Sequence, residues 1–347
     1  MLRDASRSTM ISLSRAGSAR IAAVALLFGV GVALGAEPQE WLERMNKALT
    51  SRNYVGVFTH NRGGRVETLR IIHRVRGKDV SERLLSLDGP GREFIREGDE
   101  LTCYFPDKRQ VLVEHRPSDD PLLGLPTVDA DNSKVYEIRG GERERLLNRT
   151  TRLVTLNPRD QYRYGYRLWI DEETAMPLKT QLCDQTGAVI EQIVFSNIDM
   201  SERIPDSMFK PQVDASNYRW LRADRQVVTT SAPALWDAMH LPPGFRMATR
   251  SAQSLPGSNE PVAHLVFTDG VASVSVFVEA RQADTAPAEG PARVGSSSAF
   301  STVVDGHQVT AVGEVPPTTV ELIAKQVKAS KAAAATEGLG LAPQRRK

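Results

Sequence analysis

The chain has 347 residues, 41% of them apolar, which is material for two cores if a domain takes about 150 residues. Its 44 basic and 42 acidic residues nearly cancel, so bulk charge argues against a nucleic-acid partner. With two cysteines, Cys103 and Cys183, it is no disulfide scaffold; both lie in strand-like segments, and whether they pair stays open.

Arg3, Arg7, Arg15 and Arg20 precede an unbroken apolar stretch from Ile21 to Leu34 that ends in small residues. The stretch is shorter than the roughly 20 residues a spanning helix needs, so residues 1–35 read as a signal peptide cut after Gly35 or Ala36. The expected location is the periplasm. The leader takes four arginines and one aspartate with it and leaves the remainder close to neutral.

Pro38 suits a first helical turn, and Trp41, Leu42, Met45, Ala48 and Leu49 follow at helical spacing up to about Asn53. Strands come next. Tyr54 to His60 and Glu67 to Val75 flank the turn Asn61-Arg62-Gly63-Gly64, and short strands separated by tight turns continue to His115. Pro117 to Asn132 has neither period and reads as a long loop. In Tyr162 to Leu168 the tyrosines and Leu168 alternate with Arg163 and Arg167, which predicts a strand with its arginines on a wet face. Leu178 to Asp184 and Val189 to Ile198 complete an antiparallel sheet of nine or more strands. A sheet of that length with one apolar face must curl, so the expected class is α+β: a half-closed antiparallel barrel around an apolar cavity, covered by the first helix.

The predicted organisation is a large domain over 36–211, a polar linker over 212–230, a smaller domain over 231–330 and a flexible basic tail over 331–347. In the second domain, turns at Leu241-Pro242-Pro243-Gly244, Asp269-Gly270 and Asp305-Gly306 separate strands. A closing helix carries Val320, Ile323, Ala324 and Val327 on one stripe, with Thr318 and Glu321 as a capping box.

No catalytic signature emerges. The six histidines stand apart from one another and from the cysteines, which gives no metal-ligand spacing, and no phosphate-binding or nucleophile-elbow motif is present. The acidic pairs Asp119-Asp120 and Asp171-Glu172-Glu173 fall in turns. The expectation is a binding protein with no cofactor, metal or catalytic residue.

Several segments together resemble the MucB/RseB family. They are Leu84-Leu85 leading to Asp88-Gly89-Pro90 and Arg92-Glu93, Tyr164 through Trp169-Ile170-Asp171, Pro177, Glu191-Gln192, Leu241-Pro242-Pro243-Gly244-Phe245, Asp269-Gly270 and Val312 to Pro317. His240 departs from the pattern, which has tryptophan there. The resemblance implies a first domain similar to the lipoprotein carrier fold and a small α/β domain. It also implies a negative regulator of a sigma-E (AlgU-type) envelope stress response. Such a protein binds the periplasmic part of a membrane-spanning anti-sigma factor, shields it from site-1 proteolysis, and releases it when a lipid or lipoprotein acyl chain binds. A plain lipid or lipoprotein carrier is the alternative, and self-association is left open.

On this reading the lipid cavity is lined by Tyr54, Phe58, Leu69, Ile71, Leu85, Phe94, Leu101, Tyr104, Trp169, Leu178 and Leu182. The partner is held by Tyr218, Trp220, Trp236, Leu241, Phe245 and Phe267.

Overall fold

A computed structural model describes residues 37–115, 122–123, 125, 130–200, 203–223, 236–253, 262–281 and 288–329. The expected signal peptide, basic tail and most of the long loop lie outside these residues. The first helix, α1 (Pro38–Ser51), starts on its proline and buries Trp41, Leu42, Met45, Ala48 and Leu49, the stripe its spacing predicts.

Eleven strands follow in two antiparallel meanders. The first runs β1 (Tyr54–Arg62), β2 (Arg65–Arg76), β3 (Asp79–Ser86), β4 (Glu93–Glu97), β5 (Glu100–Phe105), β6 (Gln110–His115). The second runs β7 (Tyr136–Leu146), β8 (Arg149–Pro158), β9 (Gly165–Asp171), β10 (Pro177–Cys183), β11 (Val189–Asp199). Pairing of β1 with β11 joins the two into one sheet. At that join Gly56 lies against the Phe195 ring, where an added Cβ would sit 2.5 Å from a ring carbon. The sheet does not close, because its outer strands are not paired with each other. Its concave side receives α1, whose apolar stripe packs on Phe58, Ile71, Leu168, Leu178 and Phe195. The expected α+β class and unclosed antiparallel barrel are both present.

The last residues of the expected large domain, 203–211, and the described part of the segment read as a linker, 212–223, both lie on the large sheet. Residues 203–223 run over the convex side, where Ile204 and Phe209 cover Ile72, and Ala215 and Tyr218 cover Ile95, Tyr104, Val111 and Val113. The run ends in β12 (Arg219–Ala223), a twelfth strand added parallel to β6. A buried Arg83–Glu93 pair at 2.6 Å anchors it, since Glu93 also accepts the Gln212 amide. One residue of the polar segment, Gln212, thus gives its backbone N–H to this pair, and composition alone hides that role.

The second sheet has six strands, in the order β14 (Arg246–Gln253), β15 (Val262–Thr268), β16 (Ser273–Ala280), β19 (His307–Gly313), β18 (Ser297–Val304) and β17 (Gly290–Val294). The helix α2 (Pro317–Gln326) covers one face, packing over β18 and β19 with Val320, Ile323 and Ala324 fully buried. Its cap differs from expectation. The helix begins after Pro316 with no side-chain cap, and Thr318 lies inside the first turn. The pair β13 (Trp236–Ala238) and β20 (Val327–Ala329) flanks this layer. Both sheets belong to one compact unit.

Candidate functional site

Cross-strand register decides which side chains face the hollow of the large sheet, because residues directly opposite one another in an antiparallel pair share a face. Phe58 stands opposite Leu69, Ile71 opposite Leu84, and Leu84 opposite Phe94, so one continuous apolar wall crosses β1 to β4. Phe58, Leu69, Leu84, Phe94 and Ile193 line a cavity of about 950 Å³. Leu122 and Leu123 also line it. The rim is polar and composite: His60, Arg62, Arg65, Glu67, Arg92 and Glu191 come from the large sheet, and Val294, Gly295, Ser297 and Glu314 from the small one.

Below the cavity lies a buried charged cluster. Arg96 contacts Glu82 at 3.0 Å, His73 stands 3.9 Å from the same carboxylate, and the Leu122 amide donates to it at 3.2 Å. Burial lowers the His73 pKa, with the Arg96 charge adding to it against the Arg52 carbonyl bond, so Arg96 carries the positive charge of the cluster.

Two seams join the small sheet to the large one. At the first, the fully buried Arg163 guanidinium donates to Asp269 at 2.5 Å and to Asp160 at 3.0 Å, and reaches the Pro243 carbonyl. Asn132 donates to the Asp269 carbonyl at 2.7 Å, and the Thr319 hydroxyl to the Tyr162 carbonyl at 2.7 Å. Burial, then the Asp269 carboxylate, holds the Tyr136 phenol well above its ordinary pKa, so it stays a donor toward Asp269. At the second seam, on the cavity rim, Arg62 of β1 binds Glu314 and Ser296 and contacts Glu191 at 3.3 Å. His60 also meets Glu191, at 2.9 Å. Burial alone would raise the Glu191 carboxyl; the His60, Arg62 and Ser296 contacts outweigh it and hold the pKa below the ordinary value.

A family model for the MucB/RseB N-terminal domain matches residues 37–213, and one for the MucB/RseB C-terminal domain matches residues 230–328. This chain belongs to the MucB/RseB family. It is 29% identical over 313 residues to the sigma factor AlgU regulatory protein MucB of Pseudomonas aeruginosa, covering 88% of this chain and 96% of that one. It is likewise 29% identical over 306 residues to the sigma-E factor regulatory protein RseB of Escherichia coli, covering 87% and 94%. Among solved structures it is similar to the Pseudomonas aeruginosa MucA/MucB complex, with a TM-score of 0.67, 27% identity, and coverage of 85% of this chain and 99% of that chain. These relatives are regulatory, partner-binding proteins, in keeping with the expectation that the chain is not an enzyme.

Within this MucB/RseB chain the expected cavity residues separate into groups. Phe58, Leu69 and Phe94 line the cavity; Tyr54, Ile71 and Leu178 lie in the core beside it under α1. Leu101, opposite Arg96, and Leu182, opposite Tyr166, are buried but outside the lining. Leu85, Tyr104 and Trp169 face the other way. Leu85 and Tyr104 both pair with Glu93 on the convex side, and Trp169 carries the Lys179 ammonium 4.1 Å over its ring. The error is one of parity: a shift of one residue inverts a strand's facing, and alternation in an isolated strand does not say which face is the hollow.

The expected partner residues separate by burial. Trp236, Phe245 and Phe267 are core side chains of the small sheet, and Leu241 packs against them. Tyr218 covers the convex face of the large sheet, whereas Trp220 is 51% exposed and edge-on to Tyr104. Arg163 was missed altogether. Its alternation with tyrosines predicts a wet strand face, but Tyr162 to Tyr164 precede β9 and the guanidinium is sealed at the first seam. The Asp269-Gly270 turn was the available signal, since its carboxylate is buried and needs a counter-charge. Cys103 and Cys183, on β5 and β10, are both buried and form no disulfide with each other. Strands β4, β3, β2, β1 and β11 lie between them.

Proposed function

We propose that this chain is an exported periplasmic regulator that binds the periplasmic part of a MucA-type anti-sigma factor and shields it from site-1 proteolysis. An acyl chain of a lipid or lipoprotein, bound in the cavity, releases the partner. The observation that carries this reading is the composite rim: an apolar cavity in the large sheet is completed by Gly295, Ser297 and Glu314 of the small one. A ligand that fills the cavity therefore meets the seam, and a ligand that favours one arrangement of the two sheets weakens any partner that favours the other. A carrier needs only the large sheet, so the shared rim favours the regulator. In this reading the large domain spans 36–211 and senses the ligand, and the small domain spans 231–330 and contributes to partner binding, with Trp220 as the exposed aromatic anchor.

The test is a titration of the periplasmic domain of the anti-sigma factor at zero and at saturating acyl ligand. The two affinities should differ by about 5-fold to 150-fold, and partner should weaken ligand binding by the same factor. Equal partner affinities reject the sensor.

A further inference from the structure

Two leucines from the connection between β6 and β7 lie in the hollow of the large sheet, between the core under α1 and the cavity. Leu123 is buried in the core cluster under α1, and Leu122 and Leu125 pack against that cluster. Leu122 and Leu123 at the same time form part of the cavity wall beside Leu84 and Phe94. Neither belongs to a strand or helix that would force this position. Their tether is polar: the Leu122 amide donates to Glu82, and Arg96 holds that carboxylate in a site where both charges are sealed from water. Among the described residues, the backbone hydrogen bond from Leu122 to Glu82 ties this aliphatic pair into the hollow, and the pair has the chemistry of the ligand the hollow accepts.

We propose that Leu122 and Leu123 are resident occupants of the acyl site, and that an amphiphile with an aliphatic chain binds by displacing them and breaking the Leu122–Glu82 bond. This rests on the acyl-cavity reading and adds to it how the site is kept from weak or short-chain ligands. A site open for only a fraction of the time binds with its intrinsic affinity reduced by that fraction. The two leucines therefore set a threshold, and emptying them removes it. The chain that enters takes over the contacts with Leu84 and Phe94, and Glu82 keeps Arg96 as its counter-ion.

The experiment uses cis-parinaric acid, whose fluorescence rises in apolar surroundings, with the full chain, the double variant Leu122→Ala/Leu123→Ala and the size-preserving Leu122→Met/Leu123→Met. The alanine variant should bind about 10-fold tighter and the methionine variant like the unsubstituted chain. In the unsubstituted chain, hydrogen exchange of the peptide containing Leu122 and Leu123 should accelerate when probe is added. This second measurement decides the matter even if the alanine variant does not fold. Equal affinity for alanine variant and unsubstituted chain, or probe bound with exchange at Leu122 unchanged, overturns the resident-occupant inference and leaves the acyl cavity standing. Absence of probe binding in all three proteins overturns both.

Discussion

The two seams between the sheets use the same chemistry, an arginine on the large-sheet side (Arg62 in β1, Arg163 in the β8–β9 connection) and a carboxylate at a strand end of the small one, yet they differ in solvent access. Arg163 and Asp269 have fully buried side chains, whereas Arg62 and Glu314 are more than a third exposed. Breaking a buried pair strands an uncompensated charge; breaking an exposed one returns both groups to water. The first seam is therefore a fixed joint, and the second, on the cavity rim, is the one a ligand can open at small cost.

The largest effect is expected at the fixed joint. Asp269→Ala takes the fully buried carboxylate from the Arg163 guanidinium and leaves it only the partly exposed Asp160, which should cost about 3 kcal/mol, read as a fall in the urea midpoint at unchanged slope. A loss below about 1 kcal/mol would mean that water reaches the joint and that the contrast between the seams is false.

Gly244 sharpens the contrast from the backbone side. It has a φ of +80°, and a Cβ there would lie 2.8 Å from a Val135 methyl, next to the Arg163 guanidinium. Gly244→Ala should cost about 1–2 kcal/mol through left-handed strain, and more if Val135 does not yield, measured by thermal unfolding. The exposed seam should respond far less. Arg62→Ala is expected to change stability by about 0–1 kcal/mol while raising hydrogen exchange around Ser296 and Ser297, the residues it binds.

The smallest effect is a pH dependence. The Glu191 carboxyl has a folded-state pKa below its ordinary 4.5, burial being outweighed by the His60 and Arg62 contacts. Stability from a depressed carboxyl is present above the ordinary value and is lost as pH falls through the depressed one. Glu191→Gln should therefore flatten the loss of stability below about pH 4.5 in urea unfolding. An unchanged acid limb would remove Glu191 from the second seam's energetics.

Local pattern was enough for the elements themselves. The α1 stripe, the hairpin turns, the antiparallel meander and the α2 stripe all follow from periods of 3.6 and 2 and from turn residues, which act over a few neighbours. The α+β class with an unclosed sheet was legible for the same reason, since a long sheet with one apolar face has few ways to bury it. What sequence left undecided is whatever depends on absolute facing or on pairs far apart in the chain. Parity placed Leu85, Tyr104 and Trp169 on the convex side, and only the register across β3, β4, β5 and β9 reveals it. The polar run around Gln212 became a covering segment because Glu93, distant in sequence, needed donors. Arg163 and Asp269 are separated by 106 residues, and nothing near either announces the other; tertiary packing alone brought the two charges out of water together, and their mutual need made them a joint.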